Sequence, residues 1–147
     1  MSTALVTPGA HAPAQDYVTI RVGAQHCALP VAQLRDVMQA PTITTVPGAP
    51  DTVAGVLNLR GRVVAVLDLH RRLGLPPSDD PQMAMLVMVD HGDEPVALRV
   101  DAVGEVLSLV AAAVPMNVTG PLREVATGAC LHDGAWIILL DTARILP

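Results

Sequence analysis

Phenylalanine is absent from this chain, and the other aromatics occur once each, as Tyr17 and Trp136. Recognition of bases or sugars by stacking needs aromatic faces, so this scarcity argues against it. Basic residues are also few. Nine Lys+Arg against fourteen Asp+Glu leave a net charge of −5, with no basic stripe for a phosphate backbone. Nucleic acid is excluded as an expected partner.

Cysteine occurs twice, at Cys27 and Cys130, without a CxxC companion. Both lie in apolar, strand-like stretches and read as buried thiols acting as small hydrophobes. His11, His26, His70, His91 and His132 lack metal-ligand spacing, so neither a metal nor a cofactor is expected. No stretch reaches the roughly 18 apolar residues of a membrane span. Residues 2–15 lack the basic start and long apolar core of a secretory signal. The chain reads as a soluble cytoplasmic protein without direct membrane insertion.

What the chain has in abundance is aliphatic residues, arranged twice. Hydrophobic residues make up 51% of its 147 positions, and a core of Val, Leu, Ile, Ala and Met favours strands. From Gly55 the sequence runs G-V-L-N-L-R-G-R-V-V-A-V-L-D-L-H-R-R-L. From Gly128, 73 residues later, it runs G-A-C-L-H-D-G-A-W-I-I-L-L-D-T-A-R-I-L. Gly61/Gly134, Asp68/Asp141 and Arg71/Arg144 coincide. A second pairing, at an offset of 69, sets C-A-L-P-V-A-Q-L-R-D-V from Cys27 against V-A-L-R-V-D-A-V-G-E-V from Val96. Two copies are too few for a solenoid. They imply two similar β-rich lobes in tandem.

Residues 1–15 read as a flexible tail. Tyr17 to Val22 alternates as a half-buried strand, and Cys27 to Leu29 returns as its hairpin partner. Pro30 to Met38, with Val31, Leu34 and Val37 or Met38 at helical spacing, predicts a short helix. Val56–Leu59 and Arg62–Leu67 predict a hairpin around Arg60-Gly61, matched by Asp133-Gly134 in the second copy. Asp68 and Asp141 each end an apolar run and start a helical pattern, so both read as N-caps; Gly74 suits the following C′ position. Pro76 to Pro81 is the joint. Met83, Met85 and Val87 alternate in the strand that opens the second copy. Ala111–Ala113 and Leu122–Ala126 allow short helical turns. The expected class is all-β with a few short helices.

The stretch Gly55 to Gly74 resembles the centre of the CheW family of bacterial chemotaxis coupling proteins. Tyr17–Val22, the Cys27 segment and V-A-L-R-V-D-A-V-G-E-V-L-S-L from Val96 fit the same family in order. The resemblance implies two tandem five-stranded SH3-like β-barrel lobes within residues 16–147. The first lobe would span about 16–75, the linker 76–81 and the second about 82–147, with strand exchange between lobes allowed. It implies a non-catalytic adaptor linking the cytoplasmic tips of methyl-accepting chemoreceptors to the regulatory domain of a CheA-type histidine kinase. Such a protein is cytoplasmic, is recruited to membrane-receptor arrays, and can join other CheW-like copies in rings. Position by position, Arg60 takes the place of the family's N-L-R-G arginine. Leu34, Asp36, Met85 and Val103 fall near the receptor-facing groove, and Val37 and Gly55 near the kinase contact.

Two other classes deserve comparison. I-I-L-L-D-T-A from Ile137 resembles the active-site loop of aspartic proteases, in which two carboxylates share a proton. The first copy reads Asp68-Leu69-His70 and lacks the small residues of that loop, so only a retropepsin-like homodimer using Asp141 twice would serve. A small-molecule-binding β-barrel sensor would need converging polar groups, and the sequence shows none.

Overall fold

The computed structural model describes residues 13–39, 42–76 and 84–146. Most of the expected tail, the joint beyond Pro76, Met83 and Pro147 lie outside the described residues; Gln15 already belongs to the first strand. Ten strands follow in order: β1 (Gln15–Val22), β2 (Gln25–Pro30), β3 (Leu34–Gln39), β4 (Val53–Leu59), β5 (Arg62–Asp68), β6 (Met85–His91), β7 (Glu94–Val100), β8 (Ala102–Leu109), β9 (Ala126–His132) and β10 (Ala135–Leu140). Short helices α1 (Leu69–Leu73), α2 (Gly120–Val125) and α3 (Thr142–Ile145) intervene.

The strands form two five-stranded sheets, ordered β8-β1-β2-β10-β9 and β3-β6-β7-β5-β4. The 69- and 73-residue offsets map β1–β5 onto β6–β10, and under that mapping the two orders are the same. Each sheet takes its first hairpin from one copy and three strands from the other. The parallel pairs, β2 with β10 and β5 with β7, lie where the two contributions meet.

The hairpins β4–β5 and β9–β10 repeat each other in detail. Arg60 and Asp133, at their tips, have φ of 53° and 51°, followed by Gly61 and Gly134 at 81° and 78°. Two successive positive φ values match the right-handed twist of a tight hairpin. The bulges also coincide. Ala54 is skipped between the pairs Val53↔Leu67 and Gly55↔Val66, as is Thr127 between Ala126↔Leu140 and Gly128↔Leu139.

Beyond β3 the chain returns at Thr44 to exchange two 2.8 Å backbone bonds with Val56 of β4. Beyond β8, Ala112 does the same with Ala129 of β9, at 2.8 and 2.9 Å. The outer edges of each sheet are thus joined at one point. The glycines permit this approach: a Cβ on Gly55 would lie 2.3 Å from the Thr44 carbonyl oxygen, and one on Gly128 3.0 Å from that of Ala112.

Three apolar clusters explain the long aliphatic runs. Val87, Val89, Leu98 and Leu67 face a large core shared with Val18, Ile20, Cys27, Leu29, Ile138 and Leu140 of the other sheet. The intervening Leu86, Met88, Ala97, Val64 and Val66 face a second cluster within their own sheet. Tyr17, Ala28, Ile137 and Leu139 build the matching third cluster. Strands buried on both faces have no polar face to present, so they read as continuous apolar runs.

Three local expectations are corrected. Pro30–Met38 is not a helix: a 3-10 turn covers Val31–Gln33 and β3 starts at Leu34. Pairing with β6 overrides the helical spacing, and the register break between Leu34 and Asp36 sets Arg35 aside as a bulge, blurring the two-residue alternation. Ala111–Ala113 forms no helical turn, because Ala112 is bridged to β9. Cys27 is fully buried, but Cys130 is only half-buried.

Candidate functional site

Four of the seven candidate residues lie on neighbouring strands. Leu34, Asp36 and Val37 are in β3, and Met85 opens β6 opposite Gln39. Leu34 and Met85 are half-buried against the shared core, so each holds one flank in the interior and leaves the other at the surface. Val37 is half-buried too, and Asp36 is exposed. The Asp36 carboxylate accepts a 2.8 Å bond from the Val37 amide. Next to them, exposed Arg35 forms an ion pair with Asp90 across the β3–β6 edge.

Val103 belongs to the other sheet, in β8, opposite Ile20. It is the repeat counterpart of Leu34, whose own partner Val89 is the counterpart of Ile20. Both are half-buried against the shared core. Leu34 and Val103 therefore occupy equivalent places beside the two chain crossovers between sheets.

Gly55 is buried in β4 beneath Thr44. The demand for glycine there comes from that intramolecular approach. Arg60 is exposed at the hairpin tip, and its guanidinium has no partner among the described residues. The turn is fastened without it, by a 3.0 Å bond from the Gly61 amide to Asn58 Oδ1. Its twin Asp133 is exposed as well and lies 3.4 Å from His132 Nε2. β3 and β4 are opposite edges of one sheet, yet Met38 of β3 and Ala54 and Leu59 of β4 pack on the same cluster. The sheet curls and brings its edges toward each other.

The scaffold beneath these residues depends on side chains whose long-range partners no local pattern names. Gln33, between the sheets, donates to Asp141 Oδ1 and accepts from the Thr142 amide, both at 3.0 Å. Arg72 of α1 donates to the carbonyls of Ile145 and Arg144 at the end of α3, both at 2.9 Å. At the second crossover, Asp101 accepts from the Gly23 amide. The repeated arginines act alike: Arg71 holds the Asp51 carbonyl at 3.1 Å and Arg144 the Ala126 carbonyl at 2.8 Å, each near the start of the preceding hairpin. A scan for capping or periodicity cannot find such long-range bonds.

The two aspartates differ. Asp141 caps α3 by accepting from the Ala143 amide at 3.0 Å. Asp68 occupies the N-cap position of α1 but makes no capping bond, which corrects that expectation. Its carboxylate turns instead to His70 Nε2 at 3.1 Å, leaving Oδ1 buried and without a hydrogen-bond partner among the described residues. Gly74 does close α1 in the left-handed conformation, with φ of 70°. Burial pushes the Cys27 thiol up to about 12. Tyr17 is also raised, first by burial and then by the nearby Asp141 and Cys130.

No group of three or more His, Cys, Asp or Glu that could hold a metal occurs among the described residues. A cleft of about 300 Å³ is lined by Asp51, Asp68, Arg71 and Arg99 among others. Arg71 there is already bonded to the Asp51 carbonyl, and Asp68 to His70. No described helix is long and apolar enough to cross a membrane.

Two curled sheets around a shared core, with apolar flanks and single charges spread along edges and tips, define a duplicated two-sheet β protein. The family model described as the CheW-like domain matches residues 16–147, and the chain belongs to that family of chemotaxis coupling proteins. It is 30% identical over 132 residues to the chemotaxis protein CheW of Thermotoga maritima, covering 89% of this chain and 87% of that one. It is 26% identical over 136 residues to that of Rhizobium meliloti, covering 90% and 88%. Its fold is similar to the crystal structure of the scaffolding protein TtCheW from Thermoanaerobacter tengcongensis. That match has a TM-score of 0.76 at 25% identity and covers 86% of this chain and 88% of the other.

Proposed function

We propose that this chain couples the cytoplasmic tips of methyl-accepting chemoreceptors to the regulatory domain of a CheA-type histidine kinase, within arrays at the membrane. The observation that carries the reading is Arg60: an exposed guanidinium at a tip whose left-handed backbone suits another residue better, and whose twin is Asp133. A long cation kept there without a partner among the described residues fits a contact role, since arginine's planar fork can engage carboxylates and carbonyls together. The β3–β6 face carrying Leu34, Asp36 and Met85, with Val103 at the matching place on β8, would receive the receptor. Val37 would meet the kinase, with Gly55 on that side of the sheet acting from within by letting Thr44 close over β4.

In this role the protein performs no bond chemistry. It passes a receptor's conformational bias to the kinase by binding one arrangement of the pair better than another. Co-sedimentation with a CheA-type kinase and a receptor signalling fragment tests it. The wild-type chain should bring both into one pellet, and a folded Arg60→Ala variant should not. Failure of the wild type to recruit either partner overturns the reading.

A further inference from the structure

We propose that Met116 is a site of reversible oxidation by peroxides. Met116 is 90% exposed, whereas Met88 is buried and Met38 and Met85 are half-buried against apolar clusters. Its exposure is built into a fixed turn. The Val118 amide bonds the Pro115 carbonyl at 3.1 Å, and Arg123 Nη1 bonds the carbonyls of Pro115 and Val118 at 3.0 and 3.1 Å. Val114 and Val118, on either side, pack against the shared core. The tip is thus anchored at both ends with the thioether held outward.

The repeat shows that the turn does not require methionine. Its counterpart 69 residues earlier is the Val46–Ala49 turn, closed by a 3.2 Å bond from the Ala49 amide to the Val46 carbonyl, with Pro47 in the matching place. In the reaction, a sulfur lone pair attacks one oxygen of hydrogen peroxide, the O–O bond breaks, and the second oxygen leaves as water. Sulfur loses two electrons and becomes the sulfoxide. A dithiol reductase can reverse the step, forming a disulfide and releasing the oxygen as water. The product is a polar, chiral side chain on a turn whose packing does not use it, so the fold is untouched and only the outward surface changes.

The test is mild hydrogen peroxide treatment of the full chain, with peptide mass mapping and thermal melting of the same samples. Sulfoxide should form at Met116 about tenfold faster than at Met38, Met85 or Met88, following exposure. The singly oxidised protein should keep its melting temperature. Met116→Leu should abolish the fast oxidation of that peptide, with uptake at Met1 and Met83 read separately from their own peptides. Oxidation of Met116 no faster than of those three, or a lowered melting temperature in the protein oxidised at Met116 alone, overturns the proposal.

Discussion

Gln33 grips the start of α3 with both ends of its amide. Nε2 donates to Asp141 Oδ1 and Oε1 accepts from the Thr142 amide, each at 3.0 Å, across 108 and 109 positions of sequence. Gln33→Ala strips a partner from each and should cost about 1–3 kcal/mol, the penalty for leaving such groups unpaired. Asp141→Asn keeps an oxygen acceptor and should cost less than Asp141→Ala, which loses the cap at about 0.5–2 kcal/mol. Urea unfolding of the three variants gives the ranking. Equal losses for Asn and Ala would remove the cap from the account.

The paired glycines should differ in tolerance. At Gly55 an added methyl meets the Thr44 carbonyl oxygen at 2.3 Å, whereas at Gly128 the nearest atoms lie at 3.0 Å. Gly55→Ala must displace backbone and should cost at least the roughly 1–3 kcal/mol of an overpacked core. Gly128→Ala should cost less. Thermal melting of the two variants side by side checks the order.

Arg60 offers a test in which stability and binding move in opposite directions. Asparagine accepts a left-handed backbone more readily than arginine, so Arg60→Asn should keep or raise stability by a few tenths of a kcal/mol. On the proposed contact role it should lose about 1–3 kcal/mol of partner affinity, roughly 5- to 150-fold. Melting curves and a pull-down with receptor and kinase fragments would measure both. A variant that melts early and binds normally assigns Arg60 to the fold.

Val37 probes the kinase side. It is half-buried on an edge strand, so Val37→Asp should remain folded. At an apolar interface the carboxylate would be left unpaired and should weaken kinase binding by more than about 1 kcal/mol. Titration calorimetry of the folded variant against the kinase's regulatory domain decides it, and unchanged affinity would exclude Val37 from that contact.

Cys27 sets an alkaline limit on stability. Its folded-state thiol is raised from an ordinary 9.0 to about 12 by burial. Above pH 9 the unfolded chain releases this proton while the folded chain keeps it. Stability contributed by the neutral thiol is therefore full below pH 9 and is lost as pH rises toward 12. The slope is at most about 1.4 kcal/mol per pH unit. Denaturant midpoints between pH 8 and 11 should fall more steeply for the wild type than for Cys27→Ala. Tyr17, also raised, adds a decline in the same direction.

Much of the fold was legible because the chain repeats. The tips at Gly61 and Gly134, the strands flanking them and the left-handed Gly74 all follow from local pattern. The segment after Pro30 did not, because Val31, Leu34 and Met38 satisfy helical spacing while β6 supplies the partner that makes Leu34–Gln39 a strand. Asp68 and Asp141 look alike in sequence, yet His70 claims one and Gln33 supports the other. The candidate contact residues could be named only through the family resemblance. Apolar residues at strand spacing do not reveal which flank faces solvent.

By itself the sequence determined which segments would pair locally. Alternation, turn glycines and aliphatic runs act over a few residues, where hydrogen-bond geometry and burial leave few alternatives. Only the tertiary structure decided that each copy lends its first hairpin to the other's sheet, so that Leu34 and Val103 stand at equivalent places beside the two crossovers. Two copies of like pattern offer each hairpin chemically similar edges. The choice between them depends on burying the shared core, in which Val18 and Ile20 meet Val87 and Val89 from the opposite sheet.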